Sequence, residues 1–184
     1  MDKRMDKRKE ENLRVKTSIT EALFTLMQEK SFAKITVTDI VTRAGVARAS
    51  YYRNYDSKDD ILTTLVADIL QEFKDSADYE LTDYLTYKNV ERSFTYFKKY
   101  KDYLLNLYQS GFASVFLDGL NQFHEENAGS MSIHSMERYK LYVFTGALFN
   151  TAMIWMENDT RESIADLSAA FCEYMGITDG CSPS

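Results

Sequence analysis

The sequence contains few of the residues that interrupt helices or cross-link a chain. One proline and seven glycines in 184 residues predict long helices with few turns between them. Two cysteines, Cys172 and Cys181, without a Cys-x-x-Cys motif, favour reduced thiols over a disulfide framework or a metal site. No apolar run reaches the length of about 18 residues that predicts a membrane span. We therefore expect no membrane association.

Motifs of enzyme active sites are also missing. The sequence has no GxGxxG, GxxxxGK[ST], HExxH or GxSxG pattern, each of which marks a common catalytic or nucleotide-binding site. The two histidines, His124 and His134, have no Cys or second His at the spacing of a metal site, so we expect both at the surface. We expect no enzyme activity, no cofactor and no metal.

Positive charge is concentrated in one part of the chain. The net charge of the chain is −6, but residues 1–58 hold 13 Lys or Arg and 8 Asp or Glu, a net charge of +5, whereas residues 59–184 hold 9 and 20, a net charge of −11. Local charge determines whether a surface attracts phosphates. This distribution indicates a nucleic-acid-binding N-terminal region on an acidic body.

The segment Ile35–Leu62 has the pattern of two short helices joined by a tight turn. Thr36 and Asp39 have the spacing of a capping box at the start of the first helix. Gly45 follows where a helix end favours a residue that tolerates positive φ. A second helix is predicted over Arg48–Asn54. Two helices with so short a connection cross at a large angle, which predicts a helix-turn-helix unit.

The outward residues of the second helix suit a DNA major groove. Hydrogen-bonding groups that can reach base edges and phosphates are offered by Arg48, Ser50, Tyr52, Arg53 and Asn54. Lys58 stands in the first turn of the next helix, where a cation is unfavourable unless an anion approaches. The alternative is an ordinary amphipathic helical corner with solvated polar residues.

The segment resembles the N-terminal DNA-binding domain of the TetR family of bacterial transcriptional regulators. The matching positions are Thr36, Asp39-Ile40, Ala44-Gly45-Val46, Tyr52, Tyr55, Lys58 and Ile61-Leu62. The resemblance implies phosphate contacts by Thr36, Thr38, Tyr52 and Lys58, and base contacts by Arg48, Ala49 and Ser50, with Arg53 and Asn54 beside them. Ala47 departs from the family's frequent capping Ser or Thr, and Tyr55 stands where Phe is commoner.

The rest of the chain predicts an all-α fold of about nine helices. We expect a three-helix helix-turn-helix domain over residues 1–58 and a helical bundle over 59–184, joined through a helix at 58–74. A first helix is expected over 10–29. Residues 1–9 are expected to form a mobile basic arm or a solvated, disordered terminus. The polar stretch 75–86 is the expected connection, and later helices are predicted over 89–100, 101–110, 112–127, 133–157 and 160–175.

Small residues on the last two helices predict a dimer interface. They allow close helix approach, and together with one large apolar residue the candidate set is Gly146, Ala147, Ile154, Ala165 and Ala169. The alternative is that these residues serve intramolecular packing. In the family, such helices form a four-helix interface of a homodimer that binds a palindromic site.

The bundle is rich in aromatic residues, which predicts either a ligand pocket or an ordinary core. The pocket candidates are Tyr103, Leu107, Phe116, Tyr142, Phe149 and Met153. Two stretches, 104–113 and 146–155, are similar to the TetR subgroup that includes the dihydroxyacetone-kinase operon activator. The resemblance implies a cytoplasmic, homodimeric repressor that responds to a small molecule. The alternatives are an activator, or an interaction module of the same fold that responds to a protein partner.

Overall fold

The protein is described here as a computed structural model, which covers residues 3–76, 84–128 and 134–178. Within these ranges all regular structure is helical, with nine α-helices and one short 3-10 turn. This confirms the predicted all-α class. None of the helices in these ranges is both long and apolar enough to cross a membrane. The chain divides into two compact units, Met1–Val66 and Ala67–Ser184.

The N-terminal unit contains the predicted helix-turn-helix. Its helices are α1 (Lys3–Glu29), α2 (Val37–Ala44) and α3 (Arg48–Asn54), and a 3-10 turn (Phe32–Lys34) joins α1 to α2. The capping box forms as expected, because the Asp39 backbone N–H donates to Thr36 Oγ1 at 3.1 Å and the Thr36 N–H donates to Asp39 Oδ2 at 2.8 Å.

Two residues after α2 decide how the chain turns into α3. Gly45 ends α2 with a φ of 64°. This conformation is energetically unfavourable for any residue that has a Cβ atom. Ala47 stands at the N-cap of α3 in an extended conformation, and no side chain caps the helix. The turn therefore requires Gly45, whereas Ala47 adds no capping hydrogen bond to α3.

Helix α1 corrects the prediction for the N-terminus. It begins at Lys3, whereas we expected a helix from about residue 10 and a mobile or disordered stretch before it. The added turns have no apolar periodicity, but six of the seven residues 3–9 are Lys, Arg or Met, all of which have high helix propensity. The basic residues of this stretch therefore lie on a helix.

Helix α4 (Lys58–Asp75) begins with one half of a capping box. The Asp60 N–H donates to Ser57 Oγ at 3.1 Å, but the Asp60 carboxylate accepts the N–H of Asp56 at 3.1 Å. The apolar stripe of the helix is buried, with its most enclosed members Ile61, Leu62, Val66, Ile69 and Phe73. The predicted domain boundary lies at the start of α4, and the division between the compact units falls further along the same helix.

The C-terminal unit is a bundle of five further helices. They are α5 (Tyr87–Lys99), α6 (Lys101–Gln109), α7 (Ala113–Asn127), α8 (Met136–Glu157) and α9 (Ile164–Met175). Helix α5 packs against α9, and α7 packs against α8. The predicted helices 89–100 to 160–175 are all present with small shifts of their ends. The predicted connection 75–86 and Cys181 fall largely or wholly outside the described residues.

The connection from α8 to α9 differs from the prediction. The last helix was predicted from residue 160, but Asp159 and Thr160 have φ angles of 60° and 51°. The Thr160 N–H donates to the Trp155 carbonyl at 2.9 Å, so Thr160 belongs to the end of α8. The cap of α9 is Ser163, whose Oγ accepts the Asp166 N–H at 3.0 Å.

Trp155 lies in the core of the C-terminal unit. It is the single tryptophan of the chain and is 2% exposed. Its ring packs edge-on against Phe94 with 5.9 Å between centroids. Its Nε1–H donates to the Glu162 carbonyl at 3.2 Å, so the buried indole has the hydrogen-bond partner that such groups require.

Candidate nucleic-acid interface

Helix α3 presents a polar face outward and one tyrosine inward. Arg48, Ala49, Tyr52 and Arg53 are exposed, whereas Tyr51 is fully buried. Ser50 and Asn54 are partly exposed, and Asn54 Nδ2 donates to the Ser50 carbonyl at 2.8 Å. The helix is thereby anchored by one aromatic ring and leaves most of its polar groups accessible.

Arg48 is oriented by both helices of the motif. Its Nη1 donates to Thr38 Oγ1 on α2 at 3.3 Å, and its Nη2 donates to Tyr52 Oη one turn along α3 at 3.2 Å. The guanidinium carbon lies 5.6 Å from the centroid of the Tyr52 ring. A guanidinium carries five N–H donors, so these two bonds fix the direction of the side chain and leave donors for a base or a phosphate.

The start of α2 is held by a small charged network. Lys30 Nζ lies 2.9 Å from Asp39 Oδ2, and Thr36 Oγ1 donates to the same carboxylate oxygen at 2.8 Å. The ammonium of Lys30, followed by the bonds from Thr36, holds the pKa of Asp39 well below its usual range. Thr36 and Thr38 are exposed beside this network, where the resemblance predicts phosphate contacts.

The ammonium of Lys58, a predicted phosphate contact, makes hydrogen bonds within the protein. Its Nζ donates to the carbonyls of Phe32 at 2.5 Å, Ile35 at 2.9 Å and Ala33 at 3.5 Å. The ammonium also lies 4.4 Å from the centroid of the Phe32 ring. The side chain is therefore directed at the connection between α1 and α2 in this structure.

A cleft between α1 and α3 lies beside the outward face of α3. It is lined from α1 by Arg8, Glu11, Asn12 and Val15, and from α3 by Ser50, Arg53 and Asn54. Sequence reasoning missed the contribution of Asn12, because the helix was predicted from residue 10 without a role for its first turns. The spacing of Arg8 and Asn12 would place both on one helix face, which is the signal that could have identified them.

The N-terminal unit matches a known protein family. Residues 19–65 match the family model described as bacterial regulatory proteins of the tetR family. The N-terminal domain of this chain is therefore of the TetR family. The match covers the second half of α1, the helix-turn-helix and the first turns of α4, and it confirms the resemblance found in the sequence. Among curated protein sequences, none matches the chain.

Solved structures of transcriptional regulators share the fold along most of the chain. A TetR transcriptional regulator from Streptococcus agalactiae 2603V is 22% identical, with 91% of this chain and 97% of that chain covered and a TM-score of 0.60. The dihydroxyacetone kinase operon activator DhaS is 16% identical, with coverage of 88% and 93% and a TM-score of 0.57. FadR from Bacillus subtilis, in complex with stearoyl-CoA, is 18% identical, with coverage of 86% and 96% and a TM-score of 0.54. At these identities the likeness establishes the fold alone.

The C-terminal unit contains a small apolar cavity. Its volume is about 30 Å³, and its walls come from α4 to α8, with lining residues Ile69, Leu70, Phe73, Ser93, Tyr96, Phe97, Leu104, Phe116, Leu120, Phe123, His124 and Leu148. A space of this size holds on the order of one or two water molecules. It is too small for a drug-sized ligand without movement of its walls.

The six predicted pocket residues are not gathered around this cavity. Phe116 lines it, whereas Leu107, Phe149 and Met153 are buried elsewhere in the core. Tyr142 is 37% exposed, and its hydroxyl donates to Glu125 Oε1 at 2.9 Å. Tyr103 is partly exposed. A pocket formed by these six residues would require a different packing of α6, α7 and α8.

His124 corrects the expectation of a surface histidine. It is 8% exposed, and its Nδ1 lies 2.9 Å from Thr145 Oγ1. Burial lowers the pKa of His124 to about 4, although the backbone of Leu120 opposes the shift. The imidazole is neutral at ordinary pH, so the cavity wall that it forms is polar but uncharged.

The predicted dimer residues lie on partly or fully exposed surface. Gly146 and Ala147 on α8 are partly exposed, and Ala165 and Ala169 on α9 are exposed. Ile154 is 57% exposed. Further exposed apolar side chains on the same two helices are Met136, Tyr139, Val143 and Tyr174. Exposed apolar side chains commonly mark a protein interface where they form a patch.

Proposed function

We propose that the chain is a sequence-specific, DNA-binding transcriptional regulator whose α3 enters the major groove. The observation that supports this most directly is the outward face of α3, where Thr38 and Tyr52 orient Arg48. Arginine fixed in this way is the side chain best suited to a bidentate contact with guanine. Thr36, Thr38 and Tyr52 surround it with groups that suit phosphate oxygens.

The charge distribution supports the same function. The net charge of +5 over residues 1–58 contrasts with −11 over residues 59–184. DNA binding releases counterions in proportion to the phosphates that a protein neutralises. The N-terminal unit is therefore the part that duplex DNA attracts, and a protein that reads chromosomal DNA would act in the bacterial cytoplasm.

The test measures binding of the purified chain to DNA from upstream of its own gene. We expect a dissociation constant that rises steeply with salt. Arg48→Ala should reduce the preference for the operator over unrelated DNA by about 1–3 kcal/mol. Arg43→Ala is the matched control, because it removes the same charge from an arginine whose Nη2 is 2.7 Å from Glu29. If wild-type binding showed neither salt dependence nor sequence preference, the proposed function would be wrong.

We propose further that the chain acts as a homodimer on a palindromic operator. A two-fold axis through α8 and α9 would bury Val143 and Ile154, and Gly146 and Ala147 would allow close approach. Two reading helices would then be about 34–36 Å apart or somewhat more, near one turn of DNA. Sedimentation of wild type should give a dimer, and Val143→Glu should shift it toward monomer. A monomeric wild type at micromolar concentration would exclude the dimer.

The regulatory response has two candidate forms. The first is repression relieved by a small apolar effector. The apolar cavity and the stearoyl-CoA complex of the similar FadR protein support this form. An effector would shift the population toward an arrangement of the two units that fits DNA less well. The second is activation in response to a protein partner, which the similarity to the activator DhaS and the small cavity volume support.

Addition of stearoyl-CoA distinguishes these two forms. Release of operator DNA at micromolar stearoyl-CoA would support the effector-responsive repressor. Unchanged DNA binding across a series of acyl chain lengths would favour the alternative. The cavity walls must separate for any such ligand to enter, so Phe116→Ala should increase its affinity if this cavity is the site.

A further inference from the structure

We infer that Lys58 is a positioning residue for DNA binding and not a phosphate contact. This inference rests on the proposed function, and it differs from the role that the family resemblance implies for Lys58. Its basis is the set of bonds that the ammonium makes within the N-terminal unit. Three carbonyl oxygens and one aromatic ring surround it.

The three carbonyls use the full donor capacity of the ammonium. A lysine carries three N–H donors, and Phe32, Ala33 and Ile35 supply three acceptors at 2.5, 3.5 and 2.9 Å. These carbonyls belong to the 3-10 turn and the residue that follows it, where a helix end carries partial negative charge. The ammonium therefore acts as a cap contributed by a residue 23 to 26 positions away in sequence.

These contacts also explain why a lysine is tolerated at the first position of α4. A cation there opposes the helix dipole, but the long side chain carries the charge away to the carbonyls of the turn. The Phe32 ring, 4.4 Å from Nζ, adds a cation–π contact. The charge is thus compensated inside the protein without a phosphate.

The segment that Lys58 holds leads directly into the DNA-binding surface. Ile35 is 2% exposed, and its carbonyl precedes Thr36, the N-cap of α2. Thr38, two residues further, orients Arg48. Lys58 therefore fixes the position of the start of α2 and, through it, the side chains that face DNA.

The experiment compares Lys58→Met with Lys58→Arg in full-length protein on one operator duplex. Dissociation constants are measured across a range of salt concentrations at which all variants are folded. A phosphate contact contributes about 0.9 to the slope of log K against log salt. We expect Lys58→Met to keep the wild-type slope while its affinity falls on the order of tenfold, because the bonds of a charged group are lost.

Lys58→Arg separates the two roles a second time. A guanidinium binds phosphate as well as an ammonium does, so arginine should restore affinity if Lys58 contacts DNA. A planar guanidinium does not reproduce three converging bonds to one nitrogen, so affinity should stay low if Lys58 positions the turn. Ile19→Val is the control for stability alone, because Ile19 is fully buried in the same unit, and it should bind DNA as wild type does.

Three results would overturn the inference. A slope that becomes shallower by about 0.9 in Lys58→Met would identify a phosphate contact. If Lys58→Met bound DNA with the affinity and the salt slope of the wild type, Lys58 would have only a structural role. In both cases the steep salt dependence of the wild type would still support DNA binding. A wild type that binds no DNA at any salt concentration would overturn the proposed function and this inference together.

Discussion

Replacement of Tyr51 by phenylalanine should stabilise the N-terminal unit. Tyr51 is fully buried, and its hydroxyl has no hydrogen-bond partner among the described residues. Its ring packs edge-on against Tyr52 and at a tilt against Tyr55, with centroid distances of 5.2 and 6.0 Å. Phenylalanine keeps both ring contacts and removes only the buried oxygen.

The expected gain follows from the cost of an unsatisfied buried group. Such a hydroxyl costs about 1–3 kcal/mol of folding free energy, and part of that cost is recovered when the oxygen is removed. We expect the free energy of unfolding to rise by about 1 kcal/mol. For a domain of the size of the N-terminal unit, this corresponds to an increase in Tm of roughly 4–8 °C. Burial also raises the pKa of Tyr51 to about 12. Wild-type stability should therefore fall above pH 10 as the unfolded tyrosine ionises, and Tyr51→Phe should lack this component.

The assay is urea denaturation of both proteins followed by circular dichroism. Tyr52→Phe is the matched control, because Tyr52 is 50% exposed and the hydrogen bond that its hydroxyl accepts from Arg48 lies at the surface. That substitution should leave the free energy of unfolding nearly unchanged. A loss of 1 kcal/mol or more in Tyr51→Phe would show that the hydroxyl has a partner and would refute the reasoning.

Two further predictions concern a helix cap and a buried base. Ala47→Ser should stabilise α3 by about 1 kcal/mol in urea denaturation, because Ala47 already has the extended N-cap conformation and lacks only the capping oxygen; an unchanged unfolding free energy would contradict this. The pKa of His124 is about 4 in the folded chain and near 6.5 in the unfolded chain. Between these pH values unfolding takes up a proton, so the free energy of unfolding decreases as the pH is lowered. Between pH 7 and 5 this loss is about 2 kcal/mol. The pH dependence of unfolding in His124→Asn should be smaller by that amount, and identical pH profiles would show that His124 can ionise in place.

The helix-turn-helix could be predicted because its determinants are local. The capping box joins Thr36 to a residue three positions away. The left-handed conformation of Gly45 is likewise set by the residue itself and by the helix end just before it. The later helices could be predicted for the same reason, because apolar residues at helical spacing are also a local signal. The start of α1 was missed because its first turns contain no apolar stripe, and propensity is their only signal.

The prediction for His124 failed although the sequence contained the necessary signal. Phe116, Leu120 and His124 are four residues apart in turn, so one face of α7 carries all three. The histidine was assigned to the surface because no Cys or second His stands at the spacing of a metal site. The periodicity of the apolar residues was the better guide.

Contacts between distant positions could not be derived from the pattern. Lys58 and the carbonyl of Phe32 are 26 residues apart, and nothing in the sequence specifies that these atoms meet. The aromatic residues of the bundle present the same difficulty. Which rings line a space and which fill it depends on the rotation of each helix about its axis, so only Phe116 of the predicted set lines the cavity.

The single indole of the chain gives the protein a built-in optical probe. Trp155 is enclosed in the C-terminal unit, and α1 to α3 contain only tyrosine and phenylalanine as aromatic residues. Selective excitation of the indole therefore reports on that unit alone. An emission change when unlabelled duplex DNA is added would register communication from the reading surface to the bundle, without any engineered fluorophore.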